Sequence, residues 1–155
     1  MMNQELGGQL PVSAFPPGGI FPNETTKYEK RGLAGMVPTW VPENCTQCNY
    51  CAMVCPHGVI RPFLMNRNEL KEAPDIMDSV RAKGTPHNYS ILVSTYDCTG
   101  CEVCVESCPD DALFMEDLQA VKERGLPEAW DYAVSEVSKK RNPTGRESVK
   151  GSQFE

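Results

Sequence analysis

Two evenly spaced runs of cysteine constrain this 155-residue chain more than any other feature of its sequence. The first run has the spacing C-x2-C-x2-C-x3-C and is followed by Pro56. The second run repeats that spacing and is followed by Pro109. The runs consist of Cys45, Cys48, Cys51 and Cys55, and of Cys98, Cys101, Cys104 and Cys108. They contain all eight cysteines of the chain, so thiol chemistry in this protein belongs to these two segments.

The spacing within each run suits a [4Fe–4S] cubane, which needs four thiolates at tetrahedral corners. Three cysteines two residues apart can curl around one face of a cluster, and tight turns aim backbone N–H groups at its sulfur atoms. Such hydrogen bonds offset part of the negative charge and tune the reduction potential. The proline after the fourth cysteine lacks an N–H and directs the chain away from a helix.

The same run occurs in bacterial ferredoxins, where the fourth cysteine of each run binds the other of two clusters. We therefore expect two [4Fe–4S] clusters, bound by crossed sets of ligands. The first cluster is assigned Cys45, Cys48, Cys51 and Cys108, and the second is assigned Cys98, Cys101, Cys104 and Cys55. Because the crossing ties the two halves together, cluster assembly should be coupled to folding between residues 41 and 117.

Three other uses of these cysteines compete with this interpretation. A zinc module needs neither the third closely spaced cysteine nor the Cys-Pro pairs. A disulfide scaffold is expected behind a secretion signal, and the first residues show neither the basic nor the apolar region of one. A [3Fe–4S] centre usually accompanies a missing ligand, whereas both runs are complete.

The charge balance argues against nucleic acid as a partner. The chain has 15 Lys and Arg against 21 Asp and Glu, a formal net charge of −6. Phosphate binding needs clustered cations, and the only basic run is Lys139–Arg141. No apolar run approaches the length of a membrane span, so no membrane partner is expected. We expect a cytoplasmic location, where thiols bind metal more often than one another.

The chain divides into three regions. Residues 1–40 are rich in proline and glycine, show no periodicity and are predicted to form an extended arm. Residues 41–117 contain a duplication and are predicted to form the cluster domain, with an insertion at about 66–90. Residues 118–155 are predicted to be a linker-like extension. The expected fold is α+β: a bacterial two-[4Fe–4S] ferredoxin-like fold, a pseudo-twofold βαβ repeat, with a helix inserted between the halves.

Within this frame, hydrophobic patterns predict individual elements. Each cysteine run should end in a short helix near its Cys-Pro pair. Strands are predicted at Val59–Met65, Ala112–Met115 and Ile91–Tyr96. Helices are predicted around Asp75–Lys83 and Pro127–Val137. Gly100, between two cysteines, is expected to adopt a positive φ, and His57 is interpreted as a partly exposed loop residue.

Sequence around the cysteines resembles one particular family. The stretch TKYEKRGLAGMVPTWVPENCTQCNYCAMVCPHGVIRPF, residues 26–63, resembles the ferredoxin-like domain of pyruvate:ferredoxin (flavodoxin) oxidoreductase. The lead-in LPVSAFPPGGIFPNETTKYEKRG, the second loop TYDCTGCEVCVESCP and the closing SVKGSQFE are similar to the same domain. The resemblance covers nearly the whole chain, and it implies that the eight cysteines bind the two outer clusters of such an enzyme.

The resemblance also implies a function and partners. Enzymes of this family decarboxylate pyruvate on thiamine diphosphate and transfer the two-carbon unit to coenzyme A. A proximal cluster near the thiamine passes single electrons to this domain, which passes them to external ferredoxin or flavodoxin. The sequence contains no thiamine or coenzyme A region, so we expect a fragment or subunit of the enzyme, with no catalysis by the chain alone. A free-standing carrier ferredoxin and a non-redox structural metal module are the alternatives.

Overall fold

The computed structural model describes residues 6–20, 23 and 31–140. Within these residues the chain forms two small sheets and five α-helices. The strands are Met36–Trp40 (β1), Ile60–Met65 (β2), Val80–Arg81 (β3), Asn88–Val93 (β4) and Leu113–Asp117 (β5). The helices are Tyr50–Val54 (α1), Arg67–Glu72 (α2), Val103–Glu106 (α3), Leu118–Glu123 (α4) and Leu126–Ser135 (α5). The protein is therefore a mixed helix and strand fold, as the sequence predicts.

The first sheet joins the chain before the first cysteine run to the chain after the second. Strands β1 and β5 pair antiparallel, with Met36 opposite Asp117 and Trp40 opposite Leu113. Strand β1 lies within the stretch predicted as an arm, so the folded region reaches back to residue 36. Its last four residues are buried, and Val37 and Trp40 among them pack in the main apolar core.

The second sheet has the order β2-β4-β3, with antiparallel pairs throughout. Strands β2 and β4 correspond to the predicted strands Val59–Met65 and Ile91–Tyr96, although β4 begins three residues earlier, at Asn88. Pro62 lies inside β2, which pairs on one side only. An edge strand tolerates proline because its missing N–H costs no ladder bond on the open side.

The helix predicted around Asp75–Lys83 is wrong. The insertion forms its helix earlier, at Arg67–Glu72, and residues 80–81 are the short strand β3. Asn66 and Glu69 form a capping box that starts α2, with Asn66 Oδ1 accepting from the N–H groups of residues 68 and 69. Pro74 then disfavours helical backbone at the preceding residue and ends the helix.

The region after β5 packs on the core up to residue 140. Helix α5 agrees with the predicted helix Pro127–Val137, and it contacts β4. Ala129 and Trp130 pack with Met65, Met77 and Leu92 in a second apolar cluster. Trp130 also meets Phe63 edge to face, with ring centroids 6.0 Å apart. Residues 118–140 therefore belong to the folded body, and the predicted linker at 141–155 lies outside the described residues.

A single carboxylate fastens the end of this region to the insertion. The Nζ of Lys140 lies 2.7 Å and 2.8 Å from the two carboxylate oxygens of Glu69. The N–H and hydroxyl of Ser138 donate to the same carboxylate at 3.0 Å and 2.7 Å. Burial alone would raise the pKa of Glu69, but these hydrogen bonds and that from the Asn66 N–H outweigh it and lower the pKa to about 2.

The described part of the N-terminal region has little buried surface. Residues 6–20 form three one-turn 3₁₀-helices with no buried residue. Most of residues 21–30 lie outside the described part of the chain. In the described ranges, no helix has the length and apolarity needed to cross a bilayer.

Candidate iron–sulfur centres

The eight cysteines surround two pockets, four to each. Helices α1 and α3 supply Cys51 and Cys104, and loops on either side supply the others. One pocket, the first site, is lined by Cys45, Cys48, Cys51 and Cys108. The other pocket, the second site, is lined by Cys55, Cys98, Cys101 and Cys104. Each site thus combines three cysteines of one run with the last cysteine of the other.

Left-handed backbone shapes the loop around the first site. Gln47 and Asn49 have φ values of 61° and 62°, so the chain turns sharply on both sides of Cys48. The turn points the N–H of Gln47 at the sulfur of Cys45, with an N to Sγ distance of 3.4 Å. Asn49 then precedes helix α1, which carries Cys51.

The loop around the second site has the same local conformation. Gly100 and Glu102, the counterparts of Gln47 and Asn49, have φ values of 69° and 64°. The N–H of Gly100 lies 3.4 Å from the sulfur of Cys98. The positive φ predicted for Gly100 is confirmed, and glycine is needed for a second reason. A Cβ at this position would lie 2.9 Å from the carbonyl oxygen of Met36.

Hydrogen bonds between the two halves hold Cys108 at the first site. The hydroxyl of Thr46 donates to the carboxylate of Asp110 at 2.8 Å, and the Asn44 amide donates to the Asp111 carbonyl at 3.2 Å. The N–H of Ala112 points at the sulfur of Cys108 at 3.2 Å. These contacts hold the segment after the second run against the loop of the first run.

The two sites are neighbours. Helices α1 and α3 contact each other. Their cysteines, Cys51 and Cys104, are close enough for the charge of one to raise the pKa of the other. A charge on one site therefore acts on the other.

Burial raises the pKa of three of the thiols, those of Cys51, Cys98 and Cys104. Burial and the neighbouring thiol of Cys45 raise the pKa of Cys51 to about 12. Burial and the thiol of Cys98 raise the pKa of Cys104 to about 11, and burial also raises the pKa of Cys98. Iron must therefore displace protons from these sulfurs, which couples cluster assembly to proton release.

An aromatic pair closes the first site on its inner side. Tyr89, fully buried on β4, donates its hydroxyl to Oδ1 of Asn49 at 2.5 Å. Its ring meets Trp40 edge to face, with centroids 6.1 Å apart, and both rings line the first site. Burial and the nearby cysteines raise the pKa of Tyr89, so the phenol stays neutral and donates. The sequence offered no signal for Tyr89, because it lies in the insertion.

The insertion also holds the loop of the first site through Gln47. The side-chain amide nitrogen of Gln47 donates to the Arg81 carbonyl at 2.8 Å. Its amide oxygen accepts from the Lys83 N–H at 2.8 Å. Gln47 is only 4% exposed, so both bonds are shielded from water. In the second loop the position of Gln47 is occupied by Gly100, which has no side-chain amide. The exposed residue Glu102 follows two positions later.

The donor sets fit [4Fe–4S] clusters. Each site presents four thiols and apolar walls, with backbone N–H groups aimed at sulfur, as cubane clusters require. Among the residues described, no three His, Cys, Asp or Glu side chains converge on one point as they would around a single metal ion. The thiols are instead spread around the pockets. His57 lines the second site beside Cys55, and its role as a loop residue stays a prediction.

Comparison with known proteins identifies the domain that contains these sites. Residues 44–113 match the family model of the 4Fe-4S dicluster domain. Residues 1–34 match a domain of unknown function called EKR. The dicluster match spans both cysteine runs and supports two [4Fe–4S] clusters as the cofactors.

Several curated proteins are similar to this chain over nearly its whole length. The mitochondrial pyruvate dehydrogenase (NADP(+)) of Euglena gracilis is 48% identical over 151 residues, 96% of this chain and 8% of that protein. The pyruvate-flavodoxin oxidoreductase of Klebsiella pneumoniae is 46% identical over 159 residues, 99% of this chain and 13% of that protein. The pyruvate:ferredoxin oxidoreductase of Moorella thermoacetica is 44% identical over 163 residues, with the same two coverages.

The chain thus spans only 8 to 13% of the length of these relatives. Three observations indicate the same kind of domain: the cysteine runs, the two four-thiol sites and the similarity to these relatives. The chain contains a 4Fe-4S dicluster domain and is similar, over nearly its whole length, to one part of the pyruvate:ferredoxin and pyruvate-flavodoxin oxidoreductases.

Proposed function

We propose that this chain relays single electrons through two [4Fe–4S] clusters in a thiamine-dependent pyruvate oxidoreductase. Cys45, Cys48, Cys51 and Cys108 bind one cluster, and Cys98, Cys101, Cys104 and Cys55 bind the other. The observation that carries the proposal is the pair of adjoining four-thiol pockets, each completed by the last cysteine of the other run. The pseudo-twofold βαβ ferredoxin fold is part of the same proposal, supported by the matching φ values of the two loops.

The arrangement suits electron transfer better than catalysis on an organic substrate. Both four-thiol pockets are narrow and walled by apolar side chains, and the aromatic pair of Tyr89 and Trp40 closes one of them. Burial in an apolar surround and N–H···S hydrogen bonds are the factors that set a cluster's reduction potential. The protein's contribution is to hold two clusters close together in largely apolar pockets.

The relatives supply the rest of the proposed route. A thiamine diphosphate domain with a proximal cluster delivers the electrons, and an external ferredoxin or flavodoxin receives them. The names of two relatives specify pyruvate with flavodoxin or ferredoxin, and those are the substrate and the acceptors that we propose. We propose the cytoplasm as the location, and we expect no turnover of pyruvate by this chain alone.

Anaerobic purification followed by metal analysis and EPR tests the proposal. We expect about eight irons and eight sulfides per chain, as two cubanes require. Dithionite should produce signals from two magnetically interacting clusters, and reoxidation should remove them. Stoichiometric zinc without sulfide would instead establish the structural-module alternative. Clusters that assemble but cannot be reduced would rule out the relay.

A further inference from the structure

An open cavity of about 540 Å³ lies beside the second site and is not explained by cluster binding. It is bounded by the loop before β2, the loop after β4 and the side of helix α5 that carries Trp130. A cavity of this size and openness can accept side chains of a second protein at its mouth.

The cavity walls are basic, in contrast to the acidic chain as a whole. Arg31 and Arg61 both line it, together with the imidazole of His57. The guanidinium of Arg61 lies over the ring of Trp130, 5.7 Å from its centroid, so the charge is held in place. Among the described residues that line the cavity, Asp97 is the one carboxylate, and it accepts a hydrogen bond of 2.5 Å from Ser94.

Some residues line both this cavity and the second site, and they form the wall between the two. Cys98 and His57 line the cavity and also the second pocket. A molecule seated in the cavity therefore lies directly behind a thiol of the second site. The pocket of the first site shares no lining residue with the cavity.

The rim has the composition of a protein-binding surface. Trp130, Tyr96 and arginine side chains are the residue types that dominate protein interfaces. Lys122 lies over the Tyr96 ring at 5.0 Å and adds a further positive charge beside the rim. Leu33, also on the rim, is 73% exposed, so apolar surface is available next to the charges.

We propose that this cavity docks an acidic electron-carrier protein, which places a carboxylate against the exposed guanidinium of Arg61. The cluster of the second site, behind Cys98, is then the one that delivers the electron. In each encounter that cluster is oxidised by one electron and the cofactor of the carrier is reduced by one. The inference rests on the proposed relay function and adds to it the docking surface and the exit cluster.

The test compares two charge reversals that differ only in their position. Arg61→Glu places a negative charge on the cavity rim, whereas Arg67→Glu makes the same change on exposed α2, beyond the far end of strand β2. Arg61→Gln, which removes the charge without reversing it, separates electrostatics from the loss of the Trp130 contact. Each holoprotein is reduced, freed of excess dithionite and mixed in a stopped-flow instrument with an oxidised acidic flavodoxin. A neutral quinone serves as the control acceptor, and iron, sulfide and EPR signals are compared beforehand.

We expect Arg61→Glu to lower the second-order rate constant with flavodoxin about tenfold at low salt, and Arg61→Gln to lower it less. The fall in rate with rising salt should be steep for the native chain and shallow for Arg61→Glu. Rates with the quinone should not change. Equal rates for Arg61→Glu and Arg67→Glu, or equal salt slopes, would overturn the docking site and leave the relay intact. Failure of the native chain to reduce either acceptor would instead overturn the relay.

Discussion

The side-chain oxygen of Gln47 accepts a hydrogen bond of 2.8 Å from the backbone N–H of Lys83. Because the same amide donates to the carbonyl of Arg81, one side chain joins the first cysteine loop to the edge of the insertion. The insertion is therefore part of the support of the first site. The second loop has glycine at the matching position and no such anchor.

Replacing Gln47 by alanine should loosen the first site selectively. Two shielded hydrogen bonds are lost, which we expect to lower the free energy of unfolding by about 1–3 kcal/mol. Iron should leave the first cluster faster than the second in the presence of a chelator, followed by visible absorbance and EPR. Gln47→Gly removes the same amide but relieves the positive φ of 61°, so it should be less destabilised than Gln47→Ala. Equal iron release from both clusters in Gln47→Ala would contradict the anchor.

Replacing Gly100 by alanine should destabilise the second site. The position combines a φ of 69° with a Cβ that would lie 2.9 Å from the Met36 carbonyl oxygen. Gly58 is a matched control, because its φ is 62° and a Cβ there would meet nothing within 4 Å. We expect Gly58→Ala to cost about 1 kcal/mol in urea unfolding and Gly100→Ala clearly more. Similar losses for the two variants would show that backbone strain alone sets the requirement.

The ion pair between Glu69 and Lys140 should make stability depend on pH. The pKa of Glu69 falls to about 2 in the folded chain, below its ordinary value of 4.5. A depressed carboxyl pKa stabilises the fold fully above the ordinary value, and this contribution is lost as pH falls from about 4.5 towards 2. Because solvent screens this ion pair in part, we expect Glu69→Gln to cost only about 1 kcal/mol at pH 7.

Acid also attacks iron–sulfur clusters, so the measurement must cancel that effect. The difference in unfolding free energy between native and Glu69→Gln proteins should shrink steadily as pH falls below about 5. Glu72→Gln, at the other end of α2, provides a control of equal charge change. A difference that stays constant down to pH 3 would show that the carboxylate charge contributes nothing.

The crossed ligand sets predict a specific pattern in double variants. Cys45→Ser and Cys108→Ser should impair the same cluster, and combining them should have no further effect on the other. Cys98→Ser combined with Cys108→Ser should impair both clusters, as measured by iron, sulfide and EPR. If Cys108→Ser behaved like Cys98→Ser, each run would hold its own cluster, and the crossed assignment would be wrong.

The cluster ligands could be predicted from the sequence because the spacing of neighbouring cysteines identifies them. The dicluster domain, the short helices after each loop, the strand at Val59–Met65 and the positive φ of Gly100 all follow from neighbouring residues. The resemblance to the oxidoreductases also came from a contiguous stretch. These features need no knowledge of what lies elsewhere in the chain.

Features that depend on distant partners could not be predicted in this way. Strand β1 contains Pro38 and is short, so only its pairing with β5 reveals it. The helix of the insertion is an exception, because local signals set it: the capping box of Asn66 and Glu69 starts it at Arg67, earlier than predicted. Tyr89 reaches the first site, and the side chain of Gln47 reaches the insertion, only through tertiary contacts, so the cysteine spacing does not predict either contact.

The pairing of β1 with β5 has a consequence for how such a domain can be built into a longer protein. Met36 and Asp117 face each other across the sheet, so the segment that carries both cysteine runs begins and ends at adjacent points. Domains with neighbouring ends can be inserted into a host polypeptide without pulling its two halves apart. A two-cluster segment of this topology can therefore be inserted into different large enzymes as one unit. The points where it joins the host chain lie away from its cysteine loops.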